Sequence, residues 1–334
     1  MSHKASLARA GAIAAAAIIA GISPASSHTV IGNRIFPATL TIDDPGVDDE
    51  LTIPTFTWTY LPTSTYPPLN GPQQYELNLA YGKRITSDLE LSIDSSFLHQ
   101  INPRLNGWTG IETEAKYQIA VNNEHEFVVS VGVSQVWGAS GTPNIAPQFT
   151  TITPKAFIGK GFGDLETEWL RPFAITGEMD YVVPTHPLSV AGYNQFGSVI
   201  FSQTPTLLVY GATIQYSLYY MNGYVKEVPE FFRNLIPDFE MIFTTPVSNI
   251  GPSSLGVVPG THETTGFVGP GVYYIAHDYQ LGIYAAFPIN QASGKHPGIF
   301  ANVDFYLDDL FPNTLGKPIF GPYESRAFDP WHAF

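Results

Sequence analysis

The sequence predicts an all-β protein, a transmembrane antiparallel up-and-down β-barrel of about 12 strands. Three observations carry this: strict two-residue alternation in segment after segment, a regular rhythm of short and long connections, and an export leader at the N-terminus. The alternation is clearest in Ile111-Glu112-Thr113-Glu114-Ala115-Lys116-Tyr117-Gln118-Ile119-Ala120-Val121, where odd positions are apolar or small and most even ones are polar. Side chains of a strand point to opposite faces in turn, so this segment has one greasy side and one wet side over a length that crosses a bilayer.

The leader comes first. His3, Lys4 and Arg9 precede a short apolar run from Ala10 to Ala20, and Ser23-Pro24-Ala25-Ser26-Ser27 supplies small residues for cleavage. The run is too short for a membrane helix, so residues 1–27 read as a secretory signal peptide. No later stretch resembles a membrane helix. The chain has no cysteine although export leads to an oxidising compartment, so the fold relies on hydrogen bonding and packing. Charged residues are 13% and aromatic ones 13%, a balance suited to a surface that faces lipid. Loss of the two cations Lys4 and Arg9 with the leader takes the formal charge from −14 to −16. That excludes nucleic acid, which demands basic patches, and it permits attraction of cations.

Residues 28–50 read as a periplasmic N-terminal segment ending in the acidic run Asp43-Asp44-Pro45-Gly46-Val47-Asp48-Asp49-Glu50. The run has the residue types calcium uses but not the spacing of an EF-hand loop, so a solvated acidic segment is expected and no metal. Twelve strands follow: Leu51–Tyr60, Gln73–Gly82, Ile85–Leu98, Trp108–Val121, Glu126–Trp137, Phe149–Lys160, Leu170–Val183, Thr206–Tyr220, Asp238–Thr245, Gly266–Ala276, Tyr279–Ile289 and Gly298–Leu307. Residues 308–334 form an aromatic, Pro-rich tail. The chain ends in the aromatic residue expected of a barrel's last strand, Phe334, but that residue lies well beyond the last strand-like segment. Either the tail folds back or the last strand is misplaced.

The connections give an independent test. After the second, fourth and tenth strands they are tight, as at Lys83-Arg84 and His277-Asp278, whereas Leu61–Pro72, Gly138–Gln148, Pro184–Pro205 and Pro246–Thr265 are long. Short periplasmic turns alternating with long outer loops is what barrel topology requires. Gly161–Trp169 is intermediate. Met221–Pro237 breaks the rhythm, and its Pro229–Ile236 part is compatible with a short helix. Trp58, Tyr60 and Trp137 fall at outer strand ends and Tyr81 at an inner one, as interfacial aromatics do. Trp108 has the inward parity and fits less well. Pro154 and Pro270 fall inside strands, where a missing N–H calls for a bulge or a later start.

With odd positions of the fourth strand toward lipid, Glu112, Glu114, Lys116 and Gln118 face the interior, and the same reasoning turns Glu76, Asn78, Asp88, Glu90, Glu178 and Asp180 inward. A Lys or Arg on the lipid face at mid-depth costs about 2–4 kcal/mol, which drives such groups inside. They line either a charged pathway for solutes or a salt-bridged network that fills the lumen, and a dozen strands favours the pathway. Catalysis finds little support. His186 and Ser189 share a Pro-containing loop, no Gly-x-Ser-x-Gly elbow occurs, and the other histidines lack metal-ligand spacing. Gly159-Lys160-Gly161-Phe162-Gly163 lacks the Walker order and reads as a strand end entering a turn.

Gly110-Ile111-Glu112-Thr113-Glu114-Ala115-Lys116-Tyr117 and Gly161-Phe162-Gly163-Asp164-Leu165 resemble strand and turn elements of the outer-membrane barrels named for the phenol-degradation meta-pathway. The resemblance covers roughly Leu51 to Leu307 and rests on short motifs common in barrels. It implies a transporter or channel for small, often aromatic compounds in a bacterial outer membrane, and transfers no substrate residue. The expectation is therefore a non-enzymatic channel without cofactor. Its partners would be outer-membrane lipid, small-molecule solutes and the barrel-assembly machinery, and no nucleic acid. The rivals are an outer-membrane lipid hydrolase and a structural or adhesion barrel with a plugged lumen.

Overall fold

The computed structural model describes residues 29–60, 73–101, 104–143, 145–193, 199–249 and 263–321, with the backbone alone for 189–193 and 199–203. The leader, the long connections at 61–72 and 250–262, and Phe334 lie outside the described residues. The chain opens with a small hairpin, β1 (Thr29–Ile31) and β2 (Arg34–Phe36), whose turn holds Gly32 at φ 59°. Primed hairpin turns need such a left-handed first position, which glycine adopts without steric cost. Then follow β3 (Glu50–Tyr60), β4 (Gln73–Arg84), β5 (Leu89–Ile101), β6 (Leu105–Trp108), β7 (Glu112–Asn122), β8 (Phe127–Val136) and β9 (Thr151–Gly161). The second half contains β10 (Phe173–Pro184), β11 (Leu188–Tyr193), β12 (Val199–Gln203) and β13 (Thr206–Tyr216). After the helix α1 (Leu218–Tyr224) come β14 (Leu235–Ser248), β15 (Thr265–Ile275), β16 (Tyr279–Pro288), β17 (Gly298–Tyr306) and the short helix α2 (Leu307–Leu310).

Twelve of these strands close a ring in the order β3-β4-β5-β7-β8-β9-β10-β13-β14-β15-β16-β17, each antiparallel to its neighbours. The seam runs from Ile299↔Trp58 to Tyr306↔Glu50, so β17 is the last strand and meets the first. A closed ladder leaves no edge, which is how β-structure satisfies its backbone in a bilayer. Each of the twelve carries at least one exposed large hydrophobic: Ile53, Leu77, Leu91, Ile119, Val131, Ile158, Met179, Ile214, Phe239, Tyr274, Ile283 and Ile299. A belt of this extent is far larger than an exposed apolar patch on a water-soluble monomer, and it identifies the barrel as membrane-spanning. An Ile158→Arg variant is expected to lose about 2–4 kcal/mol of folding stability in lipid vesicles, read from its urea transition. An unchanged midpoint would mean that this face does not meet lipid.

The aromatic residues sit where lipid gives way to water. At the loop end Trp58 lies 5.6 Å from Tyr60 and 6.5 Å from Tyr75, and Trp137 Nε1 donates to Thr113 Oγ1 at 3.0 Å. At the turn end Phe173 edges onto Tyr216 at 4.6 Å. Trp108 corrects the sequence reading. It belongs to β6, a separate short strand that pairs the loop end of β5 after β7 has left it, and its ring packs against outward Phe97 at 5.5 Å. The break between β6 and β7 resets the parity.

The prolines are absorbed one side at a time. Pro154 pairs with Val133 of β8, but pairing with β10 skips from Asp180↔Lys155 to Val183↔Ile152. Pro270 pairs with Phe239 of β14, while the ladder to β16 skips from Val268↔Phe287 to Gly271↔Tyr284. The helix expected near Pro229 lies instead at α1. There Ser217, as N-cap, accepts from the Tyr220 N–H at 3.0 Å and ends β13 four residues before the expected boundary. Residues 229–234 form turns, and Leu235 and Ile236 already belong to β14. The tail after β17 folds back across the turn end, where Arg84 Nη2 donates to the Gly316 carbonyl at 3.1 Å and the Lys83 ammonium reaches the Leu315 and Lys317 carbonyls at 2.7 and 2.8 Å.

Candidate functional site

Residues 29–49 do not form a solvated lead. They are folded into the turn-end half of the barrel as a plug. Val30 and Ile35 pack in a buried cluster with Ile236, Tyr273 and Ile275 of the wall, while Ile31 and Phe36 pack on Val128 and Ala174. Burying each such side chain is worth about 1.5–3 kcal/mol, which explains why a segment carrying Val30, Ile31, Ile35 and Phe36 leaves water. What the sequence pattern concealed is that inward strand positions need not face solvent; here many face another part of the same chain.

Polar bonds fix the plug at several heights. Arg34, 1% exposed, meets Glu126 at 3.1 Å and donates to the Pro172 carbonyl at 3.0 Å and to the Arg171 carbonyl, with its guanidinium 3.9 Å over the Tyr220 ring. The Leu40 N–H donates to the Tyr273 hydroxyl at 2.5 Å, and that hydroxyl donates to Glu240 Oε1 at 2.6 Å. Glu240 Oε2 accepts from the Thr41 N–H and hydroxyl at 2.9 and 2.6 Å. Gln280 Nε2 reaches the Ala38 carbonyl at 2.7 Å, and Ser130 Oγ donates to the Pro45 carbonyl at 2.5 Å.

The acidic run is the most tightly held part. Lys116 Nζ lies 2.7 Å from Asp43 Oδ2 and 3.2 Å from Asp44 Oδ1, and the Asp48 N–H donates to Glu90 Oε2 at 2.9 Å. Burial alone would push the Asp43 carboxyl up, but Lys116 and Lys155 hold it below the ordinary range. Asp44 goes the other way. Burial raises its carboxyl well above the usual range against the pull of Lys116, and nearby Asp48 adds to the rise. Thr29 Oγ1 stands 2.8 Å from Asp44 and 2.7 Å from Asp48. One hydroxyl donates one proton, so it serves only one of these two carboxylates at a time.

The predicted inward residues thus separate into two storeys. Lys116 and Glu90 hold the plug, and Asp88 sits in the turn before β5 rather than in the barrel wall, because β5 begins only at Leu89. Above them Glu76, Asn78, Glu112, Glu114 and Asp180 occupy inward positions toward the loop end. Glu178 joins the storeys, accepting from the Asp43 N–H at 2.9 Å while its other oxygen lies 3.6 Å from Lys155 Nζ. Asn78 Nδ2 donates to Asp94 Oδ1 at 3.2 Å and to Ser96 Oγ at 3.1 Å.

Asp94 and Lys155 are site residues the sequence reading missed, although both have the inward parity of neighbours it selected. Lys155 lies 2.9 Å from Glu114 Oε2 and is paired in register with Asp180. Arg34 lies outside every predicted strand, and its partner Glu126, the first residue of the predicted strand Glu126–Trp137, stands in the turn before β8. Among the described residues no group of three or more His, Cys, Asp or Glu side chains could hold a metal ion.

At the loop-end rim Pro147, Gln148, Phe149, Thr151, Pro184, His186 and Thr204 line a cavity of about 740 Å³. His186 stacks on Phe149 at 4.6 Å, and its Nδ1 lies 3.2 Å from Thr185 Oγ1. The Ser189 side chain lies outside the described residues. Among the described residues the imidazole's polar neighbour is this threonine hydroxyl.

No family model matches the chain, and no curated protein matches it. Solved structures with a similar course include the NanC porin, with a TM-score of 0.44, 9% identity, and coverage of 76% of this chain and 98% of that one. The KdgM porin gives 0.40 and 10% over 77% of this chain and 98% of its own. The translocator domain of the autotransporter NalP from Neisseria meningitidis gives 0.42 and 9% over 77% and 88%. At such identities and overlaps no solute, activity or partner passes from those proteins to this one.

Proposed function

We propose that this chain is an outer-membrane channel or transporter for small molecules, closed at its turn end by its own N-terminal segment. The observation that carries the reading is the nature of the closure. A narrow barrel can be filled by side chains of its own wall. Here the turn-end half is filled by residues 29–49, a segment that contributes nothing to the barrel ladder and is seated by side-chain contacts. Such a segment can leave without breaking a strand pair, hinging at Glu50 where β3 begins. The chain enters and leaves the barrel at the turn end, which sets that end in the periplasm and the long loops outside. Delivery by the leader and insertion by the barrel-assembly machinery complete the picture. Small, partly aromatic solutes are the cargo that the resemblance to the meta-pathway barrels implies.

A second reading, a permanently plugged structural or adhesion barrel, is favoured by the burial of Arg34 and of the apolar plug residues. Planar-bilayer recording of the full chain, together with uptake of a small neutral sugar into liposomes, separates the two. The channel reading expects discrete openings and measurable uptake. Silence in both assays, for the full chain and for a variant whose plug is loosened, would establish the structural barrel instead.

A further inference from the structure

We infer that the β7–β10 wall above the plug is a binding subsite for the cationic group of a small amphipathic amine. The inference rests on the reading of the lumen as a solute path and names the class of solute. Above the plug, the described inward side chains of β7 to β10 include four carboxylates, Glu112, Glu114, Glu178 and Asp180, and a single cation, Lys155. Lys155 engages Glu114 and Glu178 at 2.9 and 3.6 Å and faces Asp180 across the ladder. One ammonium cannot compensate three carboxylates. The imbalance continues onto β5, where Asp94 stands directly opposite Glu112 in register. Like charges placed so oppose each other unless a cation joins them.

A second observation is independent of the charge count. Ser134, the cross-strand partner of Glu114, faces inward at 1% exposure, and its hydroxyl has no hydrogen-bond partner among the described residues. The same holds for Glu114 Oε1 and Asp180 Oδ1, while the Glu114 side chain is only 9% exposed. Buried polar atoms are ordinarily paired, so three acceptor atoms left open on one wall mark a place for a donor. A protonated amine offers three N–H donors and a positive charge, which matches both the open acceptors and the surplus of carboxylate.

The apolar part of the solute follows from the far wall. In a ring of twelve strands β9 stands across from β17, six places away in either direction. There Phe300 lies 5.6 Å from Tyr284 and 6.3 Å from Phe267, each edge-on, a cluster on inward positions of β15 to β17. Acid on one side and aromatic rings on the other suit a molecule with an ammonium at one end and a ring or short alkyl chain at the other.

The probe is benzylammonium, compared with benzyl alcohol and benzoate, titrated by calorimetry into the folded full chain. Because the subsite lies on the loop-end side of the plug, binding does not require opening. Benzylammonium is expected to bind, the two analogues at least about ten-fold more weakly, since they lack the charge or reverse it. Asp180→Asn and Glu114→Gln should each weaken the amine by about ten-fold and leave benzyl alcohol unchanged. Glu114 holds Lys155, so if Glu114→Gln fails to fold, Asp180→Asn, which leaves the Lys155–Glu114 pair in place, decides alone. Equal affinity for all three probes, no binding of the amine, or variants that bind it as well as the parent would each overturn the inference. Conductance without amine binding would sink the subsite and leave the channel standing; amine binding without conductance or uptake would do the reverse.

Discussion

Arg34→Ala is expected to convert a mostly closed barrel into a conducting one. The guanidinium is a fully buried polar anchor of the plug, joined to Glu126, to two carbonyls of the 161–172 turn region and to the Tyr220 ring. Burial lowers the affinity of this guanidinium for its proton and Glu126 counteracts it, so the charge is tolerated there only because its partner is in place. Truncation leaves the Glu126 carboxylate, 4% exposed on its side chain, without its cation. Breaking a buried pair in this way costs about 3–5 kcal/mol. Withdrawal of the plug relieves that cost by letting water reach Glu126, so the penalty falls on the closed state alone. The closed-to-open ratio should therefore shift by about a hundred- to a few-thousand-fold. Single-channel recording reads this as a steep rise in open probability. A lysine at the same position should rescue little, because one ammonium cannot serve a carboxylate and two carbonyls in fork geometry. Closure that persists in Arg34→Ala, with the barrel correctly folded, would show that the apolar clusters around Val30 and Phe36 hold the plug by themselves.

The barrel itself was legible because its two rules are local. Alternation reports which face meets lipid, and loop length reports which end is which, so all twelve strands lie where the pattern predicts them, with ends shifted by a few residues. The misses share a physical origin in contacts between distant parts of the chain. Trp108 changes face because β6 and β7 part company at Thr109. The acidic run looks solvated when read alone, since nothing near it in sequence announces Lys116, 72 residues from Asp44. Lys155 lies inside the predicted strand Phe149–Lys160, where Pro154 beside it calls for a bulge or a later start; the strand runs through the proline and gives up pairing only toward β10. Glu112, Glu114 and Asp180 hold inward wall positions, yet inward polarity alone does not separate a wall that meets solute from one that meets a plug.

Arg84→Ala should act on a different quantity, the stability of the whole barrel. Arg84 ends β4, and its Nε lies 2.8 Å from Asp49 Oδ2 while Nη2 lies 2.5 Å from Asp308 Oδ2. The three side chains are at most 6% exposed, and Asp49 also binds the Lys83 ammonium. One guanidinium thus ties the base of the plug, a barrel strand and the folded-back tail. Its loss takes the guanidinium away from both Asp308 and Asp49, a cost of about 3–5 kcal/mol. A urea titration in lipid vesicles should show the transition at clearly lower denaturant, and heat-modifiable mobility in gels should be lost at lower temperature. Replacing the pair together, as Arg84→Met with Asp308→Leu, should recover much of the loss, because an apolar pair of similar volume strands less charge than a half-removed ion pair. The two arginines then separate gate from scaffold: Arg34→Ala should raise conductance at nearly constant barrel stability, and Arg84→Ala should lower barrel stability whatever it does to conductance. If Arg84→Ala instead opened the channel and left the urea transition in place, the ion-pair cluster would belong to the plug's latch rather than to the barrel's closure.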